Sequence, residues 1–278
     1  MAGYTDFAFR QVLCKCGASV TWTEMISATA LYHNSERTKA MLKSSGKTIV
    51  QLFGKIPEHF VSVIKSGILD KFVEININMG CPARKITSNG DGCCLMKNPD
   101  LAREIITACV VSTKKPVSVK LRLGFDKNTA IEFAKMCESA GANRIIMHGR
   151  LGIQGYSGTA DWNAIADVVK SVNIPVIANG DIKSLADAEK CISITKAAGV
   201  MMGRALVGNP WNISNKKVNK KAIIIHHINN TENILEFRKH LLAYASNFPN
   251  AKTLKNQLCT VSSRDEALDI LSSITPLG

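Results

Sequence analysis

Short apolar runs rich in β-branched residues recur along the first three quarters of the chain, at 19–23, 48–53, 72–78, 117–121, 144–147, 175–178 and 199–202. Each is followed by a stretch with apolar residues at helical spacing, and this alternation predicts repeated βα units around a parallel sheet. The spacing suits an α/β fold of the (β/α)8 TIM-barrel type, for which these runs are one strand too few. Positions 7–14 read as a helix directly after the loop Ala2-Gly3-Tyr4-Thr5-Asp6. The first strand would then lie mostly before residue 1, as in a truncated start or a late initiating Met. A barrel short of one strand leaves unpaired backbone groups on two neighbours.

The pattern changes after Gly208-Asn209-Pro210-Trp211, where Lys216, Lys217, Lys220 and Lys221 crowd together and no further strand-plus-helix unit follows. Amphipathic spacing predicts helices over 231–245 and 265–274. The reading is therefore a barrel domain over 1–214 and a small helical domain over 215–278.

At 278 residues and 46% hydrophobic content, the chain can bury a sizeable core, which excludes a disulfide-stapled miniature and a disordered polymer. Lys and Arg outnumber Asp and Glu by 35 to 22, and the net charge of +13 favours a polyanionic partner. The nine cysteines are an odd number, scattered along the chain, so free thiols in a reducing compartment are expected. Cys14-x-Cys16 and Cys93-Cys94 lack the paired spacing of a metal site, and none is expected. The N-terminus has no secretory pattern and no stretch approaches the ~18 apolar residues of a membrane span, so the expected location is the cytoplasm, with no membrane partner.

Active sites of such barrels sit where strands end, and the unusual polar residues cluster there: Glu24-Met25, Gln51, Asn78-Met79-Gly80-Cys81-Pro82, Lys120 with Arg122, His148-Gly149-Arg150, Asn179-Gly180-Asp181 and Gly203-Arg204. The last two positions are where barrels hold phosphate through backbone N–H groups and a nearby cation. Turn chemistry alone also accounts for N-G and G-R. Cys81, on a loop, is more accessible than Cys109, Cys137 or Cys191 on helix faces and is a candidate proton donor, with Cys93 and Cys94 as competitors. Gln154-Gly155-Tyr156-Ser157-Gly158 reads as a loop over the mouth, with Trp162 as its aromatic anchor.

These motifs in this order resemble the tRNA-dihydrouridine synthases, flavin-dependent enzymes that reduce uridines in tRNA. The resemblance runs from Met1-Ala2-Gly3-Tyr4-Thr5-Asp6 and Phe9-Arg10 through Thr23-Glu24-Met25, Gln51-Leu52-Phe53-Gly54, Asn78 to Lys85, Gly90-Asp91-Gly92, Lys120-Leu121-Arg122 and His148-Gly149-Arg150. It continues through Gln154 to Gly158, Ala160-Asp161-Trp162, Ala178 to Asp181 and Met202-Gly203-Arg204. It implies FMN in the barrel mouth, NADPH as the usual reductant, tRNA as partner and a helical domain that helps hold it, in a monomer. By position it implies that Gln51, Lys120, His148, Asn179, Gly180, Asp181, Gly203 and Arg204 contact the flavin, with Met1 contributing backbone nearby. Cys81 would be the general acid, and Asn78, Lys120, Arg122 and His148 would surround the flipped uracil. Members of the family usually begin several residues earlier, and commonly carry small residues where Cys93-Cys94 stands here.

Two other readings compete. A flavin barrel for a small metabolite shares the phosphate end but has no need of a basic helical tail. A tRNA-binding protein without catalysis would keep the fold and lack bound flavin.

Overall fold

The computed structural model describes residues 1–272, so Ile274, expected to close the last helix, lies outside the described residues. The chain opens with α1 (Phe7–Lys15), β1 (Thr21–Ser27), α2 (Ala28–Tyr32), α3 (Glu36–Ala40), β2 (Thr48–Phe53) and α4 (Pro57–Lys65). Next come β3 (Glu74–Met79), α5 (Arg84–Thr87), α6 (Pro99–Val111), β4 (Val117–Arg122), α7 (Ala130–Ser139), β5 (Arg144–His148) and α8 (Trp162–Ser171). β6 (Val176–Asn179), α9 (Leu185–Thr195) and β7 (Gly199–Met201) complete the alternation. The strands form one seven-stranded, all-parallel sheet in sequence order, curled in the manner of a TIM barrel.

Local chemistry sets the helix starts. Asp6 caps α1 by accepting the Phe9 N–H at 2.8 Å, Asn98 followed by Pro99 opens α6, and Ser184 with Asp187 forms a reciprocal capping box on α9. Parity then sorts the strands. In β3 and β4, Ile75, Ile77, Met79, Val117, Val119 and Leu121 join the main apolar cluster beneath the helices, which leaves Glu74, Asn76, Asn78, Ser118, Lys120 and Arg122 for the barrel interior.

Several strands end later than the apolar pattern indicates. Arg122, His148 and Asn179 are the last residues of β4, β5 and β6. The first strand shifts most: a register irregularity between Trp22 and Met25 carries β1 to Ser27, so Glu24 and Met25 sit within the strand and not beyond its end. Among the described residues no strand precedes α1, and β1 and β7 are the sheet edges. The N-terminal turn spans from one edge to the other: the Gly3 N–H donates to Glu24 on β1, and a Cβ on Gly203 beyond β7 would lie 3.6 Å from the Met1 sulfur.

Beyond the barrel lie α10 (Lys220–Asn230), α11 (Ile234–Ala245), α12 (Ala251–Leu258) and α13 (Arg264–Ser272), which share an apolar cluster built on Ile224, Ile228, Phe237, Leu241, Tyr244, Leu254 and Leu258. Two of these, α10 and α12, escape the sequence reading. The barrel meets this module through α1. Phe9 stacks on His227 at 5.4 Å and packs against His240 at 4.9 Å, and the His227 imidazole is hydrogen-bonded to the Tyr244 hydroxyl at 2.9 Å.

This junction makes stability pH-dependent. Burial, with the Lys239 charge nearby, pushes His240 from 6.5 down to about 4, and burial also holds His227 well below its usual value. As pH falls below 6.5 the unfolded chain binds protons that the folded chain refuses until about 4, so stability is lost across that window, by about 3 kcal/mol for His240 alone. The urea midpoint is expected to fall between those pH values, and less steeply in His240→Phe. Equal slopes for the two proteins would refute this origin.

Candidate active site

The parallel register lines up the polar strand ends. Asn78 on β3 lies beside Lys120 on β4, Arg122 beside His148 on β5, and His148 beside Asn179 on β6. Gln51 on β2 joins them through its side-chain oxygen, which accepts from Asn78 Nδ2 at 2.9 Å. Asn179 donates to the Met201 carbonyl at 2.8 Å and ties β6 to β7 just before Gly203.

The loop carrying Cys81 is held from several directions. Asn78 Oδ1 accepts the N–H groups of Gly80 at 3.2 Å and Cys81 at 2.9 Å; Arg122 Nε donates to the Gly80 carbonyl at 2.8 Å; the Cys81 carbonyl accepts from Cys93 N–H at 3.0 Å. At Gly92, with φ +64°, a Cβ would come within 2.6 Å of that same carbonyl, so only glycine fits. Cys81 is half-buried. Burial pushes its thiol up, against the smaller opposing pull of the Ala83 N–H, Arg122 and Lys120, so it keeps its proton at neutral pH. Cys93 is fully buried and pushed up to about 11.

Burial and the neighbouring Arg122 lower Lys120 to about 8, and among the described residues its ammonium has no hydrogen-bond or carboxylate partner. His148 is pushed down to about 2, by burial first and then by Lys120, Arg122, Arg150 and Arg204. Arg150 Nη1 lies 3.2 Å from His148 Nε2, and since a guanidinium only donates, that nitrogen accepts and the imidazole proton resides on Nδ1. Among the described residues the Lys120 ammonium and the His148 Nδ1–H are thus donors without a protein partner.

Asp181 gathers the far side. It takes Arg150 Nη2 at 2.7 and 2.9 Å, the Ala160 N–H at 2.8 Å, and Arg204 at 3.6 Å. Burial raises its carboxyl, and the Ala160 N–H with the two arginines outweighs that and holds it below the usual range. Gly180 has φ +119°, and a Cβ there would stand 2.7 Å from both His148 Cδ2 and Ala160 Cβ. The backbone therefore passes flush against the imidazole.

Arg150 is the residue that motif reading undervalued. Buried to 2% exposure, it also donates to the carbonyls of Ser157 at 3.0 Å and Gly158 at 2.7 Å, while Arg122 Nη1 donates to Leu151 O at 2.7 Å. These two arginines anchor the 151–158 loop by hydrogen bonds, and Trp162 Nε1 donates to Gly180 O at 3.1 Å. Charge directly after a strand end was the available signal, but nothing local shows that such a charge is buried. Tyr156 stands exposed at the tip, its ring 5.6 Å from the Arg122 guanidinium and 4.7 Å from that of Arg204. Met1 is placed at the rim with its amine donating to Thr5 Oγ1 at 2.6 Å and its carbonyl accepting from Tyr4 and Thr5 N–H at 3.0 Å.

The donor set fits a flavin nucleotide. An ammonium without a partner and an imidazole N–H suit the electron-rich pyrimidine edge of the ring, and Gly203 with Arg204 gives backbone access and a cation for phosphate.

The chain matches the sequence model of the family described as Dihydrouridine synthase (Dus) over residues 1–276. A probable tRNA-dihydrouridine synthase of Rhodobacter capsulatus is 41% identical over 221 residues, covering 77% of this chain and 68% of that protein. For a probable tRNA-dihydrouridine synthase 1 of Synechocystis sp. the identity is 32% over 296 residues, with 98% and 83% covered. The tRNA-dihydrouridine synthase B of Pasteurella multocida is 34% identical over 232 residues, with 81% and 70% covered. Among solved structures, histamine dehydrogenase from Rhizobium sp. 4-9 superposes with a TM-score of 0.54 at 12% identity, over 87% of this chain and 47% of that one. A variant of NCR from Zymomonas mobilis gives 0.51 at 14%, over 76% and 81%. At such identities the likeness speaks to the fold alone. The family match spans nearly the whole chain, and this enzyme belongs to the dihydrouridine synthase family of oxidoreductases.

Proposed function

We propose that the enzyme reduces uridine to 5,6-dihydrouridine in tRNA, with FMN seated in the barrel mouth, NADPH as reductant and the cytoplasm as its place of work. The observation that carries this reading is the meeting of a protonated thiol, Cys81, with the partnerless ammonium of Lys120 in one mouth, each lying within the other's electrostatic reach. Lys120, His148, Gln51, Asn179 and the Gly180-Asp181 and Gly203-Arg204 turns would hold the flavin, with Met1 close by. When bound, FMN supplies the hydride that uracil C6 receives.

The chain's own residues supply the rest. Hydride addition at C6 leaves negative charge on the pyrimidine, and the Cys81 thiol is the proton source for C5. Lys120 offsets that charge, and the His148 Nδ1–H is available for a carbonyl oxygen. Asn78 and Arg122 would border the uracil pocket, and because Asn78 Oδ1 holds the 80–81 loop while Arg122 Nε and Nη1 hold the Gly80 and Leu151 carbonyls, they would shape it through those loops. The base must leave its stack to reach this depth, which phosphate contacts to a chain of charge +13 help to sustain.

The decisive experiment maps dihydrouridine in tRNA from cells lacking this protein. At least one position is expected to revert to uridine, and an unchanged map would sink the reading. A second expectation concerns affinity: replacing Lys216 and Lys217 with Gln should weaken tRNA binding and reduce the slope of log K against log salt by about one to two. An unaltered slope would remove these lysines from the interface.

A further inference from the structure

An unbroken line of side-chain hydrogen bonds runs through the barrel interior from the Cys81 loop to the opposite end of the sheet. Asn78, which accepts the Gly80 and Cys81 N–H groups, donates to Gln51 Oε1 at 2.9 Å. Gln51 Nε2 donates to Asn76 Oδ1 at 2.7 Å, and Asn76 Nδ2 donates to Ser118 Oγ at 2.7 Å. The Ser118 hydroxyl donates to Glu74, whose carboxylate is paired with Arg144, with Nε at 3.0 Å. Parallel register makes this possible: Gln51, Asn76, Ser118 and Arg144 occupy one rung across four adjacent strands, with Asn78 one inward position above and Glu74 one below.

The direction of the line is dictated by its ends. Backbone N–H groups can only donate, so Asn78 must turn its oxygen to the loop and its NH2 to Gln51. The same constraint passes through Gln51 and Asn76 to the Ser118 hydroxyl, which ends on a carboxylate, an acceptor only. Reversing any amide would set donor against donor at one side and acceptor against acceptor at the other. Asn78, Gln51, Asn76, Ser118 and Glu74 are all buried, with Asn76 and Ser118 at 0% exposure, so water cannot repair a broken link among them.

We propose that Glu74, Asn76 and Ser118 are positioning residues: acting through Gln51 and Asn78, they fix the orientation of the loop that presents Cys81. The inference rests on the proposed role of Cys81 as proton donor, and its test also reads the loop without any reaction.

The variants are Ser118→Ala, which breaks the line; Ser118→Thr, which keeps the hydroxyl; and Ile77→Val, which trims an outward-packed residue of the same strand. Measured on each are kcat and KM for unmodified tRNA, the melting temperature, and the iodoacetamide alkylation rate of Cys81, followed on its own peptide by mass spectrometry. In Ser118→Ala, kcat is expected to fall about tenfold, KM to stay within about twofold, and Cys81 to alkylate at least about fivefold faster as the loop loosens. Ser118→Thr should restore both within about twofold, and Ile77→Val should leave both near the parent values. A Ser118→Ala enzyme with parental kcat and alkylation rate overturns the proposal, and so does an Ile77→Val enzyme that shifts both equally. If the parent enzyme reduces no uridine, the reading of the reaction falls, while the alkylation rates still decide whether the line holds the loop.

Discussion

Replacing Cys81 with alanine is expected to cut dihydrouridine formation by about 10²- to 10⁴-fold, the range that a positioned general acid contributes. Flavin content and NADPH oxidation should survive, because the thiol lies on the 80–82 loop and the groups assigned to the flavin lie on β2, β4, β5, β6 and beyond β7. The loop should also keep its shape, since Asn78, Arg122 and Cys93 grip its backbone and not the sulfur. Single-turnover assays with pre-reduced enzyme separate the two half-reactions. The contrasting variant is Cys93→Ala: that thiol is fully buried and pushed up to about 11, so it is out of substrate's reach and should cost less than about threefold. Equal losses in the two variants would reassign the acid.

The second large effect is expected at Gly180. Alanine there must accept φ +119° and place its Cβ 2.7 Å from two neighbours, neither of which is the loose end of a flexible chain. The His148 ring is held by Arg150, and Ala160 by its N–H bond to Asp181. Backbone strain and overpacking together should cost about 3 kcal/mol or more, a Tm drop on the order of 10 °C. Relief by tilting His148 would withdraw the Nδ1–H from the mouth, so the purified variant should also lose its yellow colour. A Gly180→Ala protein that melts normally and keeps full flavin absorbance would show that the turn yields where the geometry says it cannot.

Much of the barrel was readable in the sequence because apolar runs report burial, and burial beneath helices is what a barrel strand needs on its outer face. The same signal fails at strand ends: Arg122, His148 and Asn179 are in the sheet but polar, since they face the mouth, and an apolar pattern stops one residue short of each. β1 was misread because its register irregularity breaks the period of two. The missed α10 has a physical reason. Ile223 packs against α1 while Ile224 and Ile228 pack into the helical module, so its apolar residues wrap the helix instead of forming one stripe, and its leading lysines resemble a linker. The interior line of amides is half visible in the alternation Glu74-Ile75-Asn76-Ile77-Asn78, yet Gln51, Ser118 and Arg144 join it only once strand register is known.

The apolar clusters of the molecule are coupled through shared side chains. Met202 packs on both the barrel core and the cluster around α1, and Trp211 on both the α1 cluster and that of α10–α13. The tail therefore resembles the fixed jaw of a vice more than a hand on a tether. On the proposed reading, an RNA held by that jaw would meet the mouth at a depth built into the scaffold, and the nucleotide arriving there would be a matter of measured reach along the RNA, set in part by the two side chains that lock the clusters together.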